Sequence, residues 1–312
     1  MKYSVVVPVY QNEASIPGLL ASLSAMNVAL DGAMEAVFVV DGSPDRSYER
    51  LSDALAGLSY PAQLLAHSRN FGSFSAIRSG LAAARGEFFG VMSADLQEPP
   101  ELLLTFFKDL ASNQFDIVVG TRSGRGDPVM SRIASNTFWG MYRRIVEPAM
   151  PRGGVDVFGC NLVFRNQLLA LEESRSSLIA LIFWLGFRRE QVEYERQVRL
   201  EGASAWTFSR KLDYMFDSIF AFTDLPIRLL INIGALGTVL SLTLAAVVVL
   251  ARLSGSIDVP GYAATMLVVL VLGALNLFGL GLIGTYAWRG YENSKRRPLS
   301  VVALRRTNEK GV

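Results

Sequence analysis

Asp95 closes the run Met92-Ser93-Ala94-Asp95-Leu96-Gln97, just ahead of Glu98-Pro99-Pro100. A carboxylate at the end of an apolar run can hold a hard divalent cation that also binds a diphosphate. Such ions take one or two protein carboxylates and fill the rest of their shell with phosphate and water. An aspartate after a strand also serves as a helix cap or a turn residue, so its company matters. Tyr10 with Glu13, Asp41 with Ser43, and Arg69 with Asn70 stand in the same relation to three earlier apolar runs. One cysteine, Cys160, leaves no internal disulfide, and one histidine, His67, excludes the usual His-rich or Cys-rich zinc sites. Any metal must therefore be held mainly by oxygen. A net charge of +2 gives no bulk attraction for nucleic acid.

The elements that must position these residues form an α/β pattern, short β-branched runs alternating with helical ones, from Met1 to about Pro151. Strands are expected at Ser4 to Val9, Ala36 to Val40, Gln63 to Ala66, Phe88 to Met92 and Phe115 to Val119. The first helix takes Ser15 as its cap and Pro17 in its first turn, with Leu19, Leu20, Leu23 and Met26 on one face. A second runs from Phe74 to Ala84, and Pro99-Pro100 opens a third. In an open parallel sheet ligands bind at the carboxyl edge, so the polar residues above should converge on one crevice. His67 reads as a strand-edge residue and Cys160 as a small packed one.

The back third differs in kind, and it accounts for 51% hydrophobic against 19% charged residues. Leu229 to Leu250 has no charge and a single Asn, and Ala263 to Ala287 has no charge at all. Each is long enough to cross a hydrocarbon core of about 30 Å. The connection from Ala251 to Gly261 holds only Arg252 as a basic residue, whereas Arg289, Lys295 to Arg297, Arg305, Arg306 and Lys310 follow the second run. By the positive-inside rule the front domain and the C-terminal tail should be cytoplasmic, and the expected location is the inner (cytoplasmic) membrane, crossed more than once. Trp206 to Phe222 places Phe208, Leu212, Met215, Phe216, Ile219 and Phe220 on one side of a helix suited to the headgroup layer or to packing on the front domain. The expected division is 1–204 for a catalytic domain, 205–226 for a juxtamembrane helix, 227–288 for a transmembrane hairpin and 289–312 for a basic tail.

Read together, Pro8-Val9-Tyr10 with Glu13, Val39-Val40-Asp41-Gly42-Ser43-Pro44-Asp45, Ser68-Arg69-Asn70-Phe71-Gly72 and Asp95-Leu96-Gln97-Glu98-Pro99-Pro100 resemble the ordered motifs of family 2 glycosyltransferases with the GT-A fold. More narrowly they resemble the polyprenyl-phosphate glycosyltransferases. The likeness runs on through Arg196, Arg199, Gly202 and Ser204 to Tyr291-Glu292-Asn293-Ser294-Lys295-Arg296-Arg297-Pro298-Leu299, and so covers nearly the whole chain.

The resemblance implies that Pro8, Tyr10, Glu13, Asp41 and Ser43 serve the donor nucleotide. It implies that Asp95 and Gln97 hold Mg2+ or Mn2+ against the donor's diphosphate, and that Asp156 stands near the acceptor, making Asp95 and Asp156 the catalytic pair. Arg69, Arg196 and Arg199 would meet phosphate, and Arg210 with Lys211 would draw the lipid phosphate in or anchor the helix to anionic headgroups. The implied reaction is inverting transfer of one sugar from a nucleotide-diphosphate donor, a uridine donor being favoured, to polyprenyl phosphate. Ser93 and Val40 stand where the family has acids, and Ala205 where it often has Lys. These departures favour the competing reading, a non-catalytic membrane scaffold on the same fold. Gly273, Gly279, Gly281 and Gly284 would permit close helix packing and allow a homo-oligomer.

Overall fold

A computed structural model describes residues 1–122, 140, 142–144, 147–151, 154–155, 157–173, 176–195, 216–254 and 261–308. The chain divides into two units, Met1–Tyr214 with Arg297–Val312, and Met215–Arg296.

The first unit begins with β1 (Tyr3–Val9), a single 3-10 turn at Glu13–Ser15 and α1 (Ile16–Ala29). It continues through β2 (Met34–Val40), α2 (Ser47–Leu55), β3 (Ala62–His67), α3 (Ser73–Ala83), β4 (Phe88–Val91), α4 (Pro100–Ala111) and β5 (Ile117–Arg122). After these come β6 (Phe158–Asn161), α5 (Leu162–Ala170), α6 (Leu178–Trp184), β7 (Arg189–Tyr194) and, from beyond the second unit, β8 (Val302–Thr307). The strands join in one sheet of order β7-β5-β6-β4-β1-β2-β3-β8. Its centre is parallel, with β1 between β2 and β4 and β3 beyond β2. β6 and β8 run antiparallel to their neighbours, while β5 and β7 pair in parallel. The expected α/β sheet with a mostly parallel core is therefore present.

Every residue of β2 is buried, as a strand covered on both faces requires. Val5, Val7 and Val9 of β1 pack with Leu19, Leu23 and Met26 of α1 and with Leu103, Phe106 and Phe107 of α4 to form the core. Pro8 is tolerated inside β1, opposite Val39 in register. Val40 lies in this core at 2% exposure.

The strand order reverses beside β1. Three strands are laid down in one direction, and the chain then crosses back to place β4 on β1's other side. Such a switch point opens a crevice at the carboxyl ends of the two diverging strands. Val6 stands opposite Val91, so Tyr10 and Asp95 follow a few residues beyond that pairing, one on each side of the crevice.

Two elements differ from the expectation. The segment after the second apolar run is more than a basic tail, because 302–307 form the sheet's edge strand against β3. β5 begins at Ile117 and not at Phe115. Asp116, just before it, is occupied by the Arg188 guanidinium and the Asn161 amide, each at 2.9 Å.

In the second unit, residues 216–222 are helical, followed by α7 (Leu225–Leu253) and α8 (Tyr262–Ser294). Both long helices contain stretches long and apolar enough to cross a membrane, Leu225–Leu244 and Val271–Ser294. They extend past the expected runs, and α8 carries on through Trp288, Arg289 and Tyr291. At about 1.5 Å per residue that helix is longer than a hydrocarbon core is thick. Near its C-terminal end Arg289 pairs with Asp217 at 2.6 Å, and the Lys295 ammonium lies 4.3 Å from the Tyr291 ring. Of the expected juxtamembrane helix, 205–226, the described residues begin at 216.

Candidate active site

The loops at the carboxyl edge are tied to one another by hydrogen bonds that the turn residues make possible. After β2, Ser43 donates its hydroxyl to Asp45 Oδ1 at 2.6 Å, and Asp45 accepts the main-chain N–H of Ser47 at 3.2 Å. This is the turn that an Asp two residues before a helix favours. The loop after β1 docks onto it. The Gln11 N–H reaches Ser43 Oγ at 2.8 Å, the Asn12 N–H reaches Ser47 Oγ at 3.3 Å, and the Glu13 N–H reaches Asp45 Oδ2 at 3.0 Å. Glu13 in turn accepts from Arg50 Nε at 2.8 Å and from the Arg46 N–H at 3.3 Å. The Arg50 guanidinium and then the Arg46 N–H hold its carboxyl below the usual value. Burial by itself would raise Asp45, but the Ser43 and Ser47 hydroxyls and the Glu13 and Ser47 N–H groups outweigh it and the net shift is downward.

Asp41 is only 2% exposed, and its carboxylate points into the protein. It accepts the N–H groups of Phe71 at 2.9 Å and Gly72 at 2.7 Å and meets His67 Nδ1 at 2.7 Å. Asp41 thus shapes the turn after β3, on which Arg69 lies 4.0 Å over the Phe71 ring. Gly42 makes room for that turn. It has φ +58°, and a Cβ there would sit 2.3 Å from the Arg69 carbonyl carbon. His67 ends β3, as expected, and there it is buried, 5% exposed and hydrogen-bonded through both ring nitrogens.

After β4, Asp95 is half-buried and accepts the Gln97 N–H at 3.4 Å. Leu96 between them has φ 54°, which folds the loop back on itself. Gln97 is 8% exposed and Glu98 2%. Ser93, in the place of one expected acid, donates its hydroxyl to Glu98, so a carboxylate still stands in this corner of the loop. Among the described residues no three His, Cys, Asp or Glu side chains gather as a metal cage. The oxygen donors gathered in this loop are the half-buried Asp95 carboxylate, the buried Gln97 amide and the buried Glu98 carboxylate. That fits a hard cation drawing most of its shell from phosphate and water and does not fit zinc.

The structure therefore brings Pro8, Tyr10, Glu13, Asp41, Ser43, Arg69, Asp95 and Gln97 to one edge of the sheet. Tyr10 is 36% exposed there. Asp156, Arg196, Arg199, Arg210 and Lys211 lie outside the described residues. Four residues that hold these loops together were given no site role from the sequence: Asn12, Asp45, His67 and Glu98, the second and fourth quoted only within motifs and His67 read as a strand-edge residue. For Asp45 a signal was present, the turn sequence Gly42-Ser43-Pro44-Asp45.

The family described as Glycosyl transferase family 2 matches residues 4–171. An "Uncharacterized glycosyltransferase" of Synechocystis is 31% identical over 97% of this chain and 95% of its own. An "Undecaprenyl-phosphate 4-deoxy-4-formamido-L-arabinose transferase" of Pseudomonas paraeruginosa is 33% identical over 95% of this chain and 87% of its own. A "Bactoprenol glucosyl transferase" of Shigella phage SfV is 28% identical over 97% and 98%. Each similarity takes in the sheet, the site loops and both long helices.

Proposed function

Because the chain belongs to glycosyl transferase family 2, we propose that it transfers one sugar from a nucleotide-diphosphate donor to polyprenyl phosphate at a membrane surface, inverting the anomeric carbon. The observation that carries this reading is whole-length similarity, apolar helices included, to two proteins whose names specify undecaprenyl phosphate or bactoprenol.

The chemistry of the carboxyl edge supports it. The nucleotide would lie over the loops after β1 and β2, with Pro8 and Tyr10 beneath it and the Ser43–Asp45 turn fixing their spacing. Asp41 would act on the donor through the turn it holds, which presents Arg69 to phosphate. Asp95 and Gln97 would hold Mg2+ or Mn2+, which when bound neutralises charge on the departing diphosphate. The acceptor is a phosphate monoester, already mostly ionised near pH 7. No proton need leave it before attack, so a strong general base is dispensable and positioning supplies much of the rate. Asp156, Arg196, Arg199, Arg210 and Lys211 are proposed for the acceptor side. α7 and α8 would form the transmembrane hairpin, with the sheet domain and the basic C-terminal segment on the cytoplasmic side.

A uridine donor is the favoured choice, and the sugar is open. The test is incorporation of labelled sugar into undecaprenyl phosphate by the purified protein, across a panel of nucleotide sugars with and without Mn2+. The scaffold reading draws on Ser93 and Val40. Against it, Val40 faces the core and Ser93 keeps Glu98 in the site loop. Absence of incorporation and of binding for every donor would establish the scaffold.

A further inference from the structure

The residues just before β8 take part in a polar chain, half-buried at Ser300 and Ser79 and buried at His67 and Asp41, that ends on the donor-side turn. Ser300 Oγ lies 2.7 Å from Ser79 Oγ, Ser79 Oγ lies 2.9 Å from His67 Nε2, and His67 Nδ1 lies 2.7 Å from Asp41 Oδ1. Asp41 in turn accepts from Phe71 and Gly72. The proton order follows from the chemistry of each group. The Asp41 carboxylate acts as acceptor to every neighbour, so His67 Nδ1 carries the hydrogen. In a neutral imidazole Nε2 would then accept from Ser79, and Ser79 from Ser300.

The same segment holds the turn's main chain. The Ser68 N–H donates to the Val301 carbonyl at 3.0 Å, and His67 pairs with Val302 where the β3–β8 register shifts. The His67 and Asp41 side chains are 0% and 3% exposed. The Phe71 ring meets the His67 ring edge-on at 5.6 Å and carries the Arg69 guanidinium on its face at 4.0 Å. A displacement of His67 therefore passes to Phe71 by contact and to Gly72 through Asp41.

We propose that Ser300, Ser79 and His67 are positioning residues which set the Arg69–Gly72 turn through Asp41, so that the segment following α8 tunes the donor site from behind. An apolar residue at 67 would fill the space with less desolvation cost, and what the polar chain adds is a single orientation for the Asp41 carboxylate. The idea rests on the donor reading of this edge, but one arm of its test does not.

The experiment uses the full-length protein in detergent, with Ser300→Ala, Ser300→Thr and His67→Asn. Asn can present an N–H near the Nδ1 position but cannot reach Ser79. Hydrogen exchange of the Phe71 and Gly72 amides and the donor KM and kcat are read for each. Ser300→Ala and His67→Asn should speed exchange at these amides and raise donor KM, each about fivefold, the weight of one net hydrogen bond, with kcat within about twofold. Ser300→Thr, which keeps the hydroxyl, should restore both. Unchanged exchange at Phe71 and Gly72 in folded Ser300→Ala and His67→Asn would overturn the relay. If the wild type turns over no nucleotide sugar, the proposed function fails, and the exchange arm alone decides the relay.

Discussion

Asp45 accepts the main-chain N–H of Glu13 at 3.0 Å, so one carboxylate in the turn after β2 fixes the loop after β1. Because it also accepts from Ser43 and Ser47, Asp45→Ala would leave several donors without their partner. We expect it to lower stability by about 1–3 kcal/mol and to weaken donor binding, as read by thermal melting and by donor titration.

The direction of the carboxyl shifts sets the pH profile. Asp45, Glu13 and Asp116 are all held below their usual values, the last chiefly by its hydrogen bonds from Arg188. A lowered folded-state value means stability that is fully present above the unfolded carboxyl range, about pH 4, and lost as pH falls through the folded value. Melting temperature should hold level from about pH 7 to pH 5 and fall below about pH 4. Asp45→Asn should flatten that fall. An identical acid limb in the variant would show that Asp45 does not contribute to it.

Gly42→Ala tests the close approach of two loops. At φ +58° with backbone 2.3 Å away, the added methyl has nowhere to go. A cost of about 2 kcal/mol or more is expected, together with donor KM raised well beyond that of an alanine placed elsewhere in the loop. Wild-type melting and KM would mean that the turn carrying Arg69 can move aside freely.

Cys160 is fully enclosed in β6, and burial pushes its thiol well above the ordinary range. The thiolate is the reactive form. Maleimide should therefore leave the folded protein unlabelled at neutral pH and label it once in denaturant. Rapid labelling of the folded protein would place this strand outside the sheet.

The front half of the sheet was legible because each of its strands is an apolar run with turn residues behind it. The turn at 43–47 was quoted as a motif, yet α2 after it was not foreseen, because Ser47 to Leu55 carries only Leu51 and Leu55 as buried aliphatic anchors. β8 was illegible for a different reason. Val302 to Thr307 is exposed throughout and contains two arginines, so no alternation marks it. Its pairing is made by β3, far earlier in the chain, and it is locked by Asn308, whose side chain accepts the Ala62 N–H at 2.7 Å. The role of His67 was hidden likewise, since a histidine ending a strand looks the same in sequence whether it faces water or Asp41.

Deleting residues 299–312 follows from that finding. It would strip the partner from β3, expose a long sheet edge and remove Ser300. The truncated protein should still enter the membrane through α7 and α8 but lose its cooperative melt and aggregate. Full activity after truncation would mean that β8 is dispensable.

Sugar transfer to a lipid phosphate is proposed to depend on Asp95. The direct measurement is labelled sugar passing from a nucleotide sugar to undecaprenyl phosphate, with Mn2+ present, by wild type and by Asp95→Asn. Lipid-linked label is expected for the wild type, with a loss of about a hundredfold or more in the variant and an unchanged melting temperature in metal-free buffer. Transfer by Asp95→Asn at the wild-type rate would contradict this dependence.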